Sequence, residues 1–136
     1  MKKRVLYSAG LAAMLALCLV AAPRPLSDVM KEVGPTCGSL KKNLDAGSAD
    51  MALKDAQQLQ KLFKETRQFW AKRKTADAAG FASTGEAALK DIVKATKGGD
   101  TTAAKASFET LLGTCKSCHG AHREKGPDGK WKIKGA

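Results

Sequence analysis

A repeating apolar stripe most constrains the fold of this chain. In its first amphipathic segment, apolar residues stand 4, 3, 4, 3 and 4 positions apart, and Lys31, Glu32, Lys41 and Lys42 lie off this stripe. This spacing keeps one face of an α-helix apolar. The stripe consists of Leu26, Met30, Val33, Cys37, Leu40 and Leu44. We therefore predict a first helix that begins near Ser27, a good N-cap residue, and ends before residues 45–48.

Three more segments show helical patterning and are separated by short breaks. They cover residues 50–73, 76–97 and 100–126. Gly98 and Gly99 stop the third helix, and Asp100 caps the fourth. Aromatic residues make up only 5% of the chain and there are four prolines, as expected for helices rather than a barrel. The prediction is an all-α, antiparallel up-down four-helix bundle over residues 23–126.

At two places the sequence leaves open whether a helix is continuous. Pro35 has no N–H group and restricts Gly34, so the first helix is predicted either to kink there or to begin at Pro35. Gly80 and Gly85 weaken the third helix by about 1 kcal/mol each relative to alanine. They indicate a close approach by a neighbour or a break in the helix. The tail, residues 127–136, has a turn at Asp128-Gly129, and its residues 130–134 then alternate like an exposed strand.

The N-terminus reads as a secretory signal peptide over residues 1–22. Three basic residues precede a mainly apolar run, and two alanines follow it. A membrane anchor is the alternative, but the run is shorter than the ~20 apolar residues of a spanning helix. Cleavage removes Cys18 and lowers the formal charge from +11 to +8. The rest is predicted to be periplasmic, with Cys37, Cys115 and Cys118 in an oxidising compartment.

One motif near the C-terminus carries chemistry. Cys115-Lys116-Ser117-Cys118-His119 has the C-x-x-C-H pattern of a c-type haem attachment site. Two thiols can add to the haem vinyl groups, and the adjacent imidazole can reach the iron. A disulfide, a zinc half-site and a thioredoxin-type redox pair are the alternatives. Zinc needs a second ligand pair and the redox motif a βαβ setting, and the sequence shows neither. We predict one covalent haem c on the C-terminal helix.

The chain resembles the class II cytochromes c, the cytochrome c-prime group, over essentially all of its mature length. The resemblance rests on the C-x-x-C-H motif of the last helix, on Arg123 four residues after it, and on Met30-Lys31 followed by Gly34. His122 stands where the family often has an aromatic residue. The resemblance implies Cys115 and Cys118 as thioether anchors and His119 as the proximal iron ligand.

The residue on the other side of the iron distinguishes the two branches of this family. In one branch a methionine of the first helix ligates the iron, giving a low-spin electron carrier, and Met30 is the candidate for this sixth ligand. In the other branch the sixth position is empty and the protein binds small gases such as nitric oxide. Met30 as ordinary core packing is the third interpretation. We predict the His119 and Met30 pair and an electron carrier rather than an enzyme.

The remaining residues give weaker indications. Cys37 is interpreted as a small core residue, with a subunit link or a reactive thiol as alternatives. His122 is interpreted as a haem-edge or surface group, and Arg123 as a propionate neighbour or a solvated side chain. Trp70 and Phe63 either flank the porphyrin or belong to the core. The basic charge favours acidic redox partner proteins, no nucleic-acid motif is visible, and a homodimer stays open.

Overall fold

The computed structural model describes residues 22–135, which form four helices followed by a short hairpin. The predicted signal peptide, with Cys18, lies outside these residues except for its last position. The helices pack in chain order and are joined by short links, so neighbours run antiparallel and the predicted four-helix bundle is confirmed. The elements are α1 (Leu26–Asp45), α2 (Ala49–Lys72), α3 (Ala76–Lys97), α4 (Thr101–His122), β1 (Arg123–Lys125) and β2 (Trp131–Ile133).

The apolar stripes of the four helices meet in one core. Alanines line much of α2 and α3, which lets these helices approach closely, and larger side chains fill the centre of the bundle. The most deeply buried large side chains are Leu40, Leu59, Leu62, Leu89, Ile92 and Leu111. Burying side chains of this size stabilises the fold by about 1.5–3 kcal/mol each.

Pro35 does not break α1, so the predicted start at Pro35 is wrong, while the predicted kink stays a prediction. The helix runs without interruption from Leu26 to Asp45 and contains Pro35. Gly34 explains this, because the clash that normally bends the chain before proline involves a Cβ atom, which glycine lacks. Because proline has no N–H group, the carbonyl of Lys31 lacks its helical donor. Gly34 and Pro35 are exposed, so water can reach that carbonyl. The helix begins one residue before the predicted cap, since Pro25 and not Ser27 is the N-cap residue.

The start of α4 was predicted correctly and its end was not. The carboxylate of Asp100 accepts a hydrogen bond of 2.9 Å from the backbone N–H of Ala103, as an N-cap should. The helix ends at His122, four residues before the predicted end, because Arg123 adopts an extended backbone and begins β1. The backbone N–H of Lys134 then donates to the carbonyl of His122 at 2.8 Å, which fastens the returning tail to the helix end.

The tail forms an antiparallel hairpin with the residues that follow α4. Arg123 pairs with Ile133, and Lys125 pairs with Trp131. The turn between the strands contains Gly129, whose φ of 74° is in the left-handed region that favours glycine. The predicted strand character of the tail is therefore confirmed.

Contacts between the helices are uneven. α3 packs extensively on α2 and on α4, and α1 packs on α2, whereas α1 and α4 touch at few points. An ion pair of 3.3 Å between Lys105 and Asp45 joins these two helices at the end of the bundle away from the hairpin. The seam between α1 and α4 is thus the least filled part of the bundle. Within residues 22–135, no helix combines the length and apolar character that crossing a bilayer requires.

Candidate functional site

The C-x-x-C-H motif lies in the last two turns of α4. Cys115, Cys118 and His119 are each partly buried, and both thiols are free. Cys115 and His119 stand four residues apart, so they share one face of the helix and point along the same seam. The structure therefore brings the three predicted attachment and ligand residues to one side of α4.

These three residues line a small cavity to which every helix contributes. Met30 and Val33 come from α1, and the other lining residues are Phe63, Thr66, Phe81, Ala82 and Thr114. The cavity encloses about 40 Å³. The hydroxyls of Thr66 and Thr114 donate to backbone carbonyls one turn earlier, at 2.9 and 3.1 Å. Because these polar groups are already satisfied, the wall of the cavity is chemically apolar.

Burial sets the protonation of the motif. It raises the pKa of Cys115 and that of Cys118, so both thiols are held in the neutral form. It lowers the pKa of His119, and the positive charge of Arg123 lowers it further. A neutral imidazole has a free nitrogen lone pair, which is what an iron ligand requires. The site therefore presents His119 in a form that can bind metal.

Met30 of α1 lies beside the motif, as Val33 does. Its side chain is partly buried, packs against the core and lines the same cavity as His119. Met51, the other methionine among residues 22–135, is 52% exposed at the start of α2. The structure thus places only one thioether beside the motif among the residues it describes.

Phe63 and Trp70, which lie on one predicted stripe, take different positions. Phe63 lines the cavity, and its ring lies directly against Gly85 of α3, where a Cβ atom would collide with it. The close approach predicted for Gly85 is confirmed, whereas a Cβ at Gly80 would meet nothing within 4 Å. Trp70 packs away from the cavity, against Phe69 and against His122.

His122 and Arg123 flank the motif on the hairpin side. The Nε2 atom of His122 lies 2.8 Å from Oδ2 of Asp77, which ties the end of α4 to the start of α3. The guanidinium of Arg123 lies 3.9 Å from the ring centre of Trp131 in the hairpin. His119 and Cys115 also border an open depression on this side, together with Leu112, Lys116, Gly120, Arg123 and Trp131.

Cys37 lies outside the cavity lining. It is partly buried and packs against the core, and burial, together with the nearby Cys115, raises its pKa to about 12. It therefore remains a protonated thiol at neutral pH, consistent with a packing role. Sequence reasoning did not assign Phe81 and Thr114 to the site. Thr114 directly precedes Cys115, and Phe81 stands four residues before Gly85, so the helical period was the available signal.

The fold and the site define a class: a four-helix bundle in which a C-x-x-C-H motif on the last helix faces an apolar interior cavity. A family model described as Cytochrome C' matches residues 26–123, and the chain belongs to that family. Comparison with curated proteins and with solved structures gave no significant match. The family match ends at Arg123, the first residue of the hairpin, so residues 124–135 are not part of it.

Cytochromes of this family bind haem and serve in electron transfer or gas binding, and the residues at the cavity fit this group. A neutral imidazole and a thioether lie beside an apolar lining, which suits both the iron and the hydrophobic porphyrin. Cys115 and His119 line both this cavity and the open depression on the hairpin side, so the space beside the motif is not confined to the cavity.

Proposed function

We propose that this chain is an exported c-type cytochrome that carries single electrons through one covalently bound haem. Cys115 and Cys118 hold the haem as thioethers, His119 is the proximal iron ligand and Met30 is the sixth ligand. When bound, the haem supplies a metal centre that accepts and releases one electron. The observation that carries the proposal is the shared cavity, where Met30 of α1 meets the C-x-x-C-H motif of α4.

The chain's own residues contribute to electron transfer by supplying a ligand on each side of the iron. Burial and the charge of Arg123 lower the pKa of His119, so its imidazole resists protonation and is available as an iron ligand. The Met30 sulfur adds a soft, neutral donor, which raises the reduction potential. Two protein ligands also hold the coordination constant between oxidation states, which favours fast one-electron exchange.

Anchoring through two cysteines suits a protein whose interior seam is weakly closed. Noncovalent haem in a seam with few contacts would be free to dissociate whenever α1 moved away from α4. Two thioether bonds to α4 remove that route of loss. We propose that attachment takes place after export, with the maturing chain in the periplasm and the signal peptide removed.

A gas-binding protein is the second candidate function, and the apolar lining favours it. Val33 and Phe63 flank Met30 in the cavity, and together they can shield an empty sixth position from water. In that case Met30 blocks the distal side of the iron and does not bind it.

The absorption spectrum of the purified holoprotein separates these functions. A low-spin spectrum with a thioether-to-iron charge-transfer band supports the electron carrier. A high-spin spectrum that changes on adding carbon monoxide or nitric oxide supports the gas-binding protein instead. A colourless protein whose mass lacks a porphyrin, made in a host able to attach haem, would overturn both.

A further inference from the structure

The C-terminal hairpin presents a face that the proposed haem chemistry leaves unexplained. Because side chains alternate across a strand pair, Arg123, Lys125, Trp131 and Ile133 share one face of the hairpin. We call this set the hairpin face. Trp131 is 55% exposed, one of two large apolar side chains in residues 22–135 that are so open to solvent.

Two cations hold the exposed tryptophan in place. The guanidinium of Arg123 lies 3.9 Å from the centre of the Trp131 ring, and Nζ of Lys125 lies 5.3 Å from it. Cation–π contacts of this kind stabilise an exposed site by about 0.5–1 kcal/mol. The exposed ring therefore lies against two positive charges.

The charges of the hairpin are distributed unevenly between its two faces. On the opposite face, Glu124 pairs with Lys132 at 3.2 Å, so that pair is neutral. Arg123 and Lys125 have no carboxylate partner within 4.0 Å among the described residues. Positive charge that is not neutralised is thus concentrated around Trp131.

The hairpin face is continuous with the surface of α4 beside the proposed iron ligand. Arg123 and Trp131 border the open depression that also contains His119, Lys116 and Gly120. A Cβ at Gly120 would meet nothing within 4 Å, so the helix surface next to His119 is open to a second molecule. A partner seated here would lie against the helix turn that carries the ligand.

We propose that the hairpin face and the adjoining depression form the docking site for an acidic one-electron redox protein. Charge complementarity argues for an acidic occupant: two cations without a carboxylate partner among the described residues lie against an exposed aromatic side chain, and aromatic and arginine residues are typical of interface centres. The inference rests on the proposed electron-carrying function. In each encounter one electron passes between the two proteins, so one is oxidised and the other reduced by one electron, with no bond formed or broken.

The test measures binding and electron transfer with plastocyanin, a small acidic blue copper protein, as the probe. The holoprotein is compared with the double variant Lys116→Glu and Lys125→Glu, at low ionic strength. The matched control reverses Lys54 and Lys97 to glutamate, which gives the same change in net charge at the far end of the bundle. Both control lysines are exposed and lie outside the ion pairs of the described residues.

We expect the hairpin variant to lower the association rate constant by about tenfold or more, and the control to change it by less than about twofold. The salt dependence should weaken in the hairpin variant only. Equal losses in both variants, or no loss in either, would overturn the proposal. If the double variant takes up less haem because Lys116 lies inside the attachment motif, Lys125→Glu alone is compared with Lys54→Glu alone, which again match in net charge.

Two further measurements distinguish protein docking from membrane binding and from a failure of electron transfer. If the hairpin variant loses binding to phosphatidylglycerol vesicles but keeps binding to plastocyanin, the face recognises an anionic membrane and the proposal is wrong. Failure of the electron-carrier function looks different, because the wild-type holoprotein would then exchange electrons slowly with ferricyanide while still binding plastocyanin. If the wild-type holoprotein instead exchanges electrons rapidly with ferricyanide but does not bind plastocyanin, the docking proposal is wrong and the electron-carrier function stands.

Discussion

The Nε2 atom of His122 lies 2.8 Å from Oδ2 of Asp77, and this contact joins the last residue of α4 to the first turn of α3. His122 is also in contact with Trp70 of α2, at 5.1 Å between ring centres. Three helices therefore meet at the residue where the family often has an aromatic side chain. The histidine replaces part of that apolar packing with a hydrogen bond across the end of the bundle.

This contact predicts a change of stability in acid. The hydrogen bond from His122 lowers the pKa of Asp77 below its usual 3.8. Because the folded-state pKa is depressed, the stabilisation is present well above the unfolded-state value and is lost as the pH falls through the folded-state value. We expect Asp77→Asn to unfold more easily than wild type at neutral pH, with the difference narrowing as the pH falls into the acid range. Chemical denaturation across this range measures it.

The matched control for this prediction is Asp91→Asn on the same helix. Asp91 is exposed and takes part in no ion pair of the described residues, so its substitution should leave the pH profile unchanged. A difference between wild type and Asp77→Asn that stayed constant down to pH 2 would contradict the assigned cause.

The two motif cysteines are predicted to be necessary together for covalent haem. The double variant Cys115→Ala and Cys118→Ala should leave a polypeptide whose intact mass contains no porphyrin. Cys37→Ala should keep the full haem mass, since this thiol lies outside the cavity lining, and should lower the unfolding free energy by about 1 kcal/mol. Haem retained through denaturation in the double variant would show that attachment uses other residues.

Substitution of Met30 separates iron ligation from packing. Met30→Leu keeps an apolar side chain of similar volume, so its cost in stability should stay below about 1.5 kcal/mol. If the sulfur binds iron, this variant still loses the thioether-to-iron band, and its reduction potential falls. Met51→Ala, at an exposed position, should change neither property. An unaltered spectrum in Met30→Leu would assign Met30 to packing.

Gly85 and Gly80 give a matched pair of substitutions on α3. A Cβ at Gly85 would collide with the Phe63 ring, so Gly85→Ala should push that ring towards the cavity and destabilise the fold by about 1–3 kcal/mol. Gly80→Ala, in open space, should stabilise it by about 0.5–1 kcal/mol through helix propensity alone. Thermal unfolding measures both. Equal effects would mean that the Phe63 contact is easily relieved.

Much of this architecture could be predicted from the sequence because it follows from local periodicity. The stripe of α1 and the Gly98, Gly99, Asp100 boundary each depend on residues close in the chain. Pro35 misled the prediction, because proline usually disturbs a helix and the missing Cβ of Gly34 removes part of that effect. The end of α4 was missed for another reason. Alternation in the tail indicates a strand, but it does not identify Arg123 and Lys125 as the partners.

The site shows the same division. Cys115, Cys118 and His119 are adjacent in sequence, so one motif was enough to find them. Phe63 and Trp70 are seven residues apart on one stripe and looked equivalent. Only the position of α3 and α4 decides that Phe63 meets the cavity while Trp70 meets His122. Periodicity within one helix does not show which part of a neighbouring helix lies opposite a given residue, so these contacts could not be predicted from it.

The sparse contact between α1 and α4 has a consequence for the order in which this protein is assembled. α2, α3 and α4 pack on one another in chain order, while α1 is connected through the short link at residues 46–48 and packs mainly on α2. We expect α1 to lie loosely against α4 in the chain that has not yet received haem, so that the motif thiols stay within reach of the attachment machinery. Attached haem then holds α1 and α4 together, and we expect proteases to degrade the chains that never receive haem.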